Sequence, residues 1–312
     1  MLSSRHCSAG EVRMVRVSAV VCTVAIILIG LYSTFTIDGV IASNAPPTVV
    51  FTLGTAYRDV TYCNSQTMDI YIPSVAVTHP LPLAIFVHGG GLALGDKSDI
   101  NPVFLNALAS AGYVVASVNY RLAPQYKYPA QIEDLKCAIR YLRANAQSYG
   151  VNGSEVFAFG TSSGGELVAL AALTGPHSQF DVGPYLNESS SVTAAVDMFG
   201  PANVTSCGCY SDPQRVFGGD QNNLALASPT HFVAADSPPI LIVQGVKDTT
   251  VPESQSVQFH DELVATGDQT QLILVQGMGH MFVQAGPEPI APSLVQIAQD
   301  VVSFFGRYSM GG

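Results

Sequence analysis

The chain has 312 residues and little charge: Asp, Glu, Lys and Arg together make up 12 %. It also lacks internal repeats, low-complexity linkers and basic runs. Of its 13 Lys and Arg, Arg5, Arg13 and Arg16 precede residue 17, and the others are scattered singly. A nucleic-acid backbone is held by clustered cations. The formal net charge of −10 and the missing clusters therefore exclude a nucleic-acid partner. Cysteine is scarce, with six residues, and no second pair stands at zinc spacing from Cys207 and Cys209, so no metal site is expected. Hydrophobic residues, by contrast, reach 48 %. That is enough to fill the core of a large α/β domain and argues against disorder.

The apolar surplus begins early. Basic residues precede VSAVVCTVAIILIGLY, and no charge appears between Arg16 and Asp38. Residues 1–45 read as a targeting segment. It is either a signal peptide, with VIA (40–42) or SNA (43–45) as cleavage sites, or an uncleaved N-terminal signal anchor of about 20 apolar residues. The flanking charge predicts the same orientation for both, with residues 46–312 outside the cytoplasm, secreted or attached to a membrane by that segment. Disulfides are permitted there. Cys137 lies on the polar-to-apolar boundary of a helix and reads as a small core residue. Cys207 and Cys209 are too close in sequence for an easy bridge to one another, and a bond from either to Cys63 stays open. Sequons stand at Asn152, Asn187 and Asn203.

From about residue 48, apolar strand-like runs alternate with amphipathic helical ones. Strands are expected at 67–73, 81–88, 113–120, 155–160, 193–200, 239–245 and 270–277; several are near-continuous in Val, Ile, Leu and Phe, as in strands buried on both faces. Helices are expected at 101–111, 129–150, 163–174, 253–266 and 289–306. In 129–150, Ile132, Leu135, Ile139, Leu142 and Ala146 share one face, with Pro129 at the start and Gly150 past the end. The alternation predicts a doubly wound, mostly parallel sheet with right-handed crossovers. The stretch 201–237, rich in Gly, Pro, Asn and Ser, is long for a connection and reads as a small cap over the carboxyl edge of the sheet, where ligands bind.

Three loops at that edge carry chemistry. GTSSG (160–164) sits between EVFAF and ELVALAAL, and a GxSxG turn from strand to helix presents its central serine, Ser162, at an exposed corner. HGGG (88–91) follows another strand. Its glycines let backbone N–H groups approach a ligand, so Gly90, Gly91 and the amide of Ser163 are candidate donors to an oxyanion. A nucleophilic serine needs a base, and the base a carboxylate, in the chain order Ser, Asp, His. Asp248 follows PILIVQG and His280 follows TQLILVQG, so both reach the same edge. Asp197 and Asp220 compete for the acid role, but neither ends the strand before the one carrying His280. His88 abuts the HGGG loop and reads as scaffold, His260 as a surface residue, and His177 and His231 lie in loops with no strand to aim them.

Taken together, HGGG, VNYRLAPQYKYPA, GTSSGG, SPPILIVQGVKDTTVP and GMGH resemble the α/β-hydrolase esterases of the hormone-sensitive-lipase-like group, especially bacterial carboxylesterases similar to feruloyl and acetyl-xylan esterases. The likeness runs from about Tyr57 to Tyr308. It implies an α/β-hydrolase fold and a serine carboxylic-ester hydrolase with Ser162, Asp248 and His280 as triad, and Gly90, Gly91 and Ser163 as oxyanion hole. It also implies a small-molecule or polysaccharide-linked ester as substrate, with no metal or organic cofactor. Leu92 stands where that group usually has an aromatic residue, and Ser163 where alanine is common. The rival readings are a serine peptidase of the same fold and a non-catalytic binding module that has kept the fold.

Overall fold

The computed structural model describes residues 53–74 and 79–310; the targeting segment expected at 1–45 lies outside them. Eight strands form one sheet in the order β1-β2-β4-β3-β5-β6-β7-β8. These are β1 (Leu53–Thr61), β2 (Thr67–Pro73), β3 (Leu81–Val87), β4 (Val114–Val118), β5 (Val151–Thr161), β6 (Ala194–Met198), β7 (Ile240–Gly245) and β8 (Thr270–Val275). From β4 to β8 every pairing is parallel, while β2 pairs antiparallel with both β1 and β4. Strands β3 to β7 are buried almost throughout, which is why each reads as an apolar run without alternation. Strand β1 was not among the expected elements. Its residues Gly54–Asp59 are exposed, so this edge strand carries no hydrophobic pattern to betray it.

Five longer helices cover the two faces. Helices α1 (Pro102–Ser110) and α5 (Leu294–Gly306) pack Phe104, Leu108, Ile297, Val301 and Phe305 against Phe86, Phe157 and Val243. On the other face, α2 (Ala130–Ala144), α3 (Ser163–Leu173) and α4 (Glu253–Thr266) bury Ile132, Leu135, Leu167, Leu170 and Phe259 against Ile85, Val118 and Ile242. The expected helix 129–150 is interrupted at Asn145, whose side-chain amide donates to the Tyr141 carbonyl (2.8 Å). Such local bonding competes with the helix ladder, and a separate turn follows at Ala146–Tyr149. Helix α5 starts later than expected, capped by Ser293, because Pro289 and Pro292 cannot sit inside it.

Two cysteine readings are corrected. Cys137 is not a free core residue: on α2 it is bonded to Cys63, 74 positions earlier in sequence, with Cα atoms 6.2 Å apart. Cys207 and Cys209 are joined to each other across Gly208, Cα to Cα 5.1 Å. The left-handed Gly208 (φ 63°) turns the chain back within the span a disulfide needs.

The sheet's register sets up the site. Val87 pairs with Gly160 and Thr161 with Met198, so β3, β5 and β6 release their chains side by side at the carboxyl edge. Gly245 pairs with Val275, and the loops after β7 and β8 leave that edge together.

Candidate active site

Ser162 stands between β5 and α3 with φ 53° and ψ −125°, a backbone that a residue with a side chain rarely adopts and that surrounding structure must enforce. The enforcement is steric. A β-carbon on Gly160 would stand 2.3 Å from the Gly164 carbonyl oxygen, and one on Gly164 would stand 2.1 Å from that of Val87. Only glycines allow the strand, the turn and the start of α3 to cross so closely. The Ser162 N–H donates to the Met198 carbonyl (2.9 Å), and its own carbonyl accepts from the Glu166 N–H (3.1 Å).

His280 reaches Ser162 from the loop after β8: Nε2 lies 3.0 Å from Ser162 Oγ and Nδ1 lies 2.7 Å from Asp248 Oδ2. An ionised carboxylate can only accept, so Nδ1–H donates to Asp248 and Nε2 is free to accept the serine proton. Asp248 Oδ1 accepts from the N–H groups of Thr250 (2.8 Å) and Val251 (2.9 Å). Burial alone would raise this carboxyl, but the hydrogen bond from His280 and the two amides hold it below the ordinary carboxylate range. The two loops are stitched to one another. The Lys247 N–H donates to the Met278 carbonyl (2.9 Å), and Gln244 donates to the Val251 carbonyl (3.1 Å) while accepting from Ser256 Oγ (2.9 Å). The Phe199 ring meets the imidazole edge-on, centroids 5.1 Å apart.

The HGGG loop faces the same corner. Gly90 and Gly91 have φ of 115° and 61°, and among the described residues their N–H groups donate to no backbone carbonyl. With Ser163 at the start of α3, they line a pocket of about 300 Å³ that also holds Ser162, His280, Thr250, Val251, Met281, Pro201, Cys209 and Tyr210. His88 is buried, stacked on Tyr120 (centroids 4.2 Å apart), and its Nδ1 meets the Gly89 carbonyl (2.7 Å). It braces the loop and does not line the pocket. Leu92 is fully buried and does not line the pocket; its carbonyl accepts from Ala123 (2.9 Å).

The competing acids do other work. Asp220 caps the short helix Gln221–Leu226 by accepting from the Asn222 N–H (2.9 Å). Asp197 lies buried on β6, where Oδ1 accepts from the Gly200 N–H (2.8 Å) and Oδ2 has no partner. Burial outweighs that one bond and pushes Asp197 up to about 7. His177 and His231 are exposed, and His260 sits beside Asp261 on α4. Among the described residues no cluster of His, Cys, Asp and Glu could hold a metal ion, and no helix is long and apolar enough to cross a membrane.

Two residues at the site were not foreseen. Tyr210, from the 201–237 stretch, lines the pocket and donates its hydroxyl to Glu166 Oε2 in the first turn of α3. Glu166 carried a faint signal, as the one carboxyl in the apolar run ELVALAAL; Tyr210 carried none. The stretch itself is pinned down. It folds into short helices at Val204–Cys207, Pro213–Phe217 and Gln221–Leu226, and Gln255 Oε1 accepts from the N–H groups of Ala202 and Asn203 (3.2 and 2.8 Å).

Known proteins share both this fold and parts of this sequence. Esterase LipC of Mycobacterium tuberculosis is 30 % identical over 70 % of the chain, and the chain spans 57 % of LipC. The probable carboxylic ester hydrolase LipM of the same organism is 28 % identical over 80 % of the chain, which spans 61 % of that protein. A solved structure, a truncated form of a carbohydrate esterase from gut microbiota, superposes with a TM-score of 0.71 at 28 % identity, covering 84 % of this chain and 98 % of its own. The mostly parallel sheet and its helices thus form an α/β-hydrolase fold. Residues 68–263 match the BD-FAE family model, more than half of the chain. The protein is a member of the BD-FAE family.

Proposed function

We propose that the protein is a serine carboxylic-ester hydrolase that works through an acyl-enzyme. His280 takes the proton from Ser162 as Oγ attacks an ester carbonyl. The carbonyl oxygen becomes an oxyanion held by the N–H groups of Gly90, Gly91 and Ser163, each such donor being worth about 3 kcal/mol in a site of this kind. The C–O bond breaks, and the alcohol leaves with the proton from His280. Water then repeats the sequence on the acyl-serine and returns the enzyme. Asp248 stays ionised throughout, orienting the imidazole and stabilising its cation. No step draws on a metal or organic cofactor.

The observation that carries this reading is the continuous contact from Asp248 through His280 to Ser162, at 2.7 and 3.0 Å. Esterases among the relatives support ester substrates. A pocket of about 300 Å³ is at the small end for ligand sites and favours short-chain or small aromatic acyl groups. The carbohydrate esterase with the same fold supports acylated polysaccharides as bearers of that group. The stretch 201–237 acts as a small cap. The two disulfides support an oxidising compartment, reached through the segment 1–45, which either is removed or keeps the enzyme on a membrane. A fluorophosphonate probe tests the chemistry: it labels Ser162 in the native protein and fails to label Ser162→Ala. Labelling elsewhere, or none, contradicts the mechanism.

A further inference from the structure

The wall of the pocket and the nucleophile are referenced to the same turn of helix. Glu166 lies four residues after Ser162, and its N–H donates to the Ser162 carbonyl (3.1 Å). Its side chain is fully buried, with Oε2 accepting from the Tyr210 hydroxyl and Oε1 without a partner. A buried carboxyl with one partner is costly, and its single bond holds the Tyr210 hydroxyl in place. Tyr210 itself is partly exposed, and its exposed part faces the pocket. Its ring edge comes within 4.0 Å of where a β-carbon on Gly91 would stand, so it closes the space beside the HGGG loop. Phe217 braces the ring edge-to-face at 5.0 Å, and Phe217 in turn packs on Tyr128 at 5.8 Å. The Cys207–Cys209 bridge ends at the residue immediately before it. Every other pocket-lining side chain from the 201–237 stretch is small.

We propose that Tyr210 sets the size limit of the pocket, admitting small ester substituents and excluding long ones, and that Glu166 is the positioning residue that fixes the ring by its hydroxyl. The proposal rests on the hydrolase reading above. Burial pushes Glu166 far above the usual carboxylate range despite the bond from Tyr210. An aromatic ring has two rotatable bonds, and with its tip tied and its edge braced neither is free. A wall fixed in this way discriminates by steric exclusion rather than by attraction.

The test is kcat/KM for p-nitrophenyl esters from acetate to octanoate and for alkyl acetates from ethyl to octyl. It is run on the native chain, Tyr210→Ala, Tyr210→Phe, Glu166→Leu and the double variant Tyr210→Phe/Glu166→Leu. Removing the ring raises the long-to-short ratio in at least one series by about 10-fold or more, the range that pocket contacts of methylene size command, chiefly through a lower KM for the long esters. Removing either end of the bond raises the same ratio by a smaller, equal factor, and the double variant raises it no further, because the two residues act as one unit. Glu166→Gln keeps an acceptor and restores the native ratio. Should Tyr210→Ala be too unstable to purify, Tyr210→Leu gives the same comparison. If the native chain hydrolyses these esters and the ratio in both series stays within twofold when the ring is removed, the size-limit proposal is overturned and the hydrolase reading stands. If the native chain hydrolyses no ester and takes no fluorophosphonate, the hydrolase reading fails and the proposal fails with it.

Discussion

Ser162 has buried carboxyls on both sides, and they are pushed in opposite directions. Toward the pocket, Asp248 accepts from His280, Thr250 and Val251 and is held below its ordinary range. Behind α3, Asp197 accepts only the Gly200 N–H and is pushed up to about 7, while Glu166, facing Tyr210, is pushed well above its ordinary value. Asp248 and Asp197 differ little in exposure, at 7 % and 1 %. Burial raises both carboxyls, and the donors aimed at each oxygen decide whether that rise is overcome, because desolvation penalises the charged form and hydrogen bonds to it repay the cost. A base needs a charged partner to stabilise its cation, and of these carboxyls only Asp248 is built to remain charged next to an imidazole.

The largest effect that would break this comparison is on rate. Asp248→Asn removes the charge and forces the imidazole into the wrong tautomer, and kcat/KM for p-nitrophenyl acetate falls by about 10⁴-fold, as for the same change in the triad of serine proteases. Asp197→Asn replaces a group with a near-neutral isostere and changes the same quantity by less than about tenfold. Equal losses in the two variants, with circular dichroism unchanged, would mean that the two carboxyls do not differ in role.

A control separates stability from chemistry. Removing the Cys63–Cys137 bridge with serines frees a loop 74 positions long and costs about 4 kcal/mol on the chain-entropy account, read as a lower urea midpoint. Neither carboxyl is touched, so kcat/KM well below the melting temperature stays within about twofold. A rate loss there as large as that of Asp248→Asn would mean that destabilisation alone explains both.

The smallest effect sharpens the comparison by sign. The Asp197 carboxyl titrates near 3.8 when unfolded and at about 7 when folded. Between those values the folded chain binds the extra proton, so its stabilising share is present at low pH and is lost as pH rises toward 7, by at most about 1.4 kcal/mol per pH unit. Asp248, held low, contributes in the opposite sense: its share is present above about pH 4 and is lost as pH falls. Asp197→Asn therefore flattens the decline of urea-derived stability between pH 5 and 7, and Asp248→Asn leaves that decline in place. An unchanged slope in Asp197→Asn would contradict the assignment of its state.

Much of this arrangement was legible before any coordinates. Strands β3 to β7 announced themselves because both of their faces are buried, and α/β alternation alone puts the ends of parallel strands on one edge. That is why Ser162, Asp248 and His280 could be named from three loops far apart in sequence. The pattern was silent where its physical basis was missing. Strand β1 is an exposed edge without apolar period. Cys63 and Cys137 meet through the packing of α2, and an apolar helix position looks the same whether its thiol is free or bonded. The bridge between Cys207 and Cys209 depends on a left-handed Gly208, which spacing alone did not reveal. Tyr210 and Glu166 touch across 44 positions, and nothing local to either residue encodes the meeting.

The central claim is that three side chains from three loops act as one relay. It is tested most directly by kcat/KM for p-nitrophenyl acetate in Ser162→Ala, His280→Ala and the double variant. A relay loses its function once, so each single change costs on the order of 10⁶-fold and the double change costs no more than either. Single variants that keep rates within tenfold of the native chain, or losses that multiply in the double variant, would show that serine and imidazole do not work together.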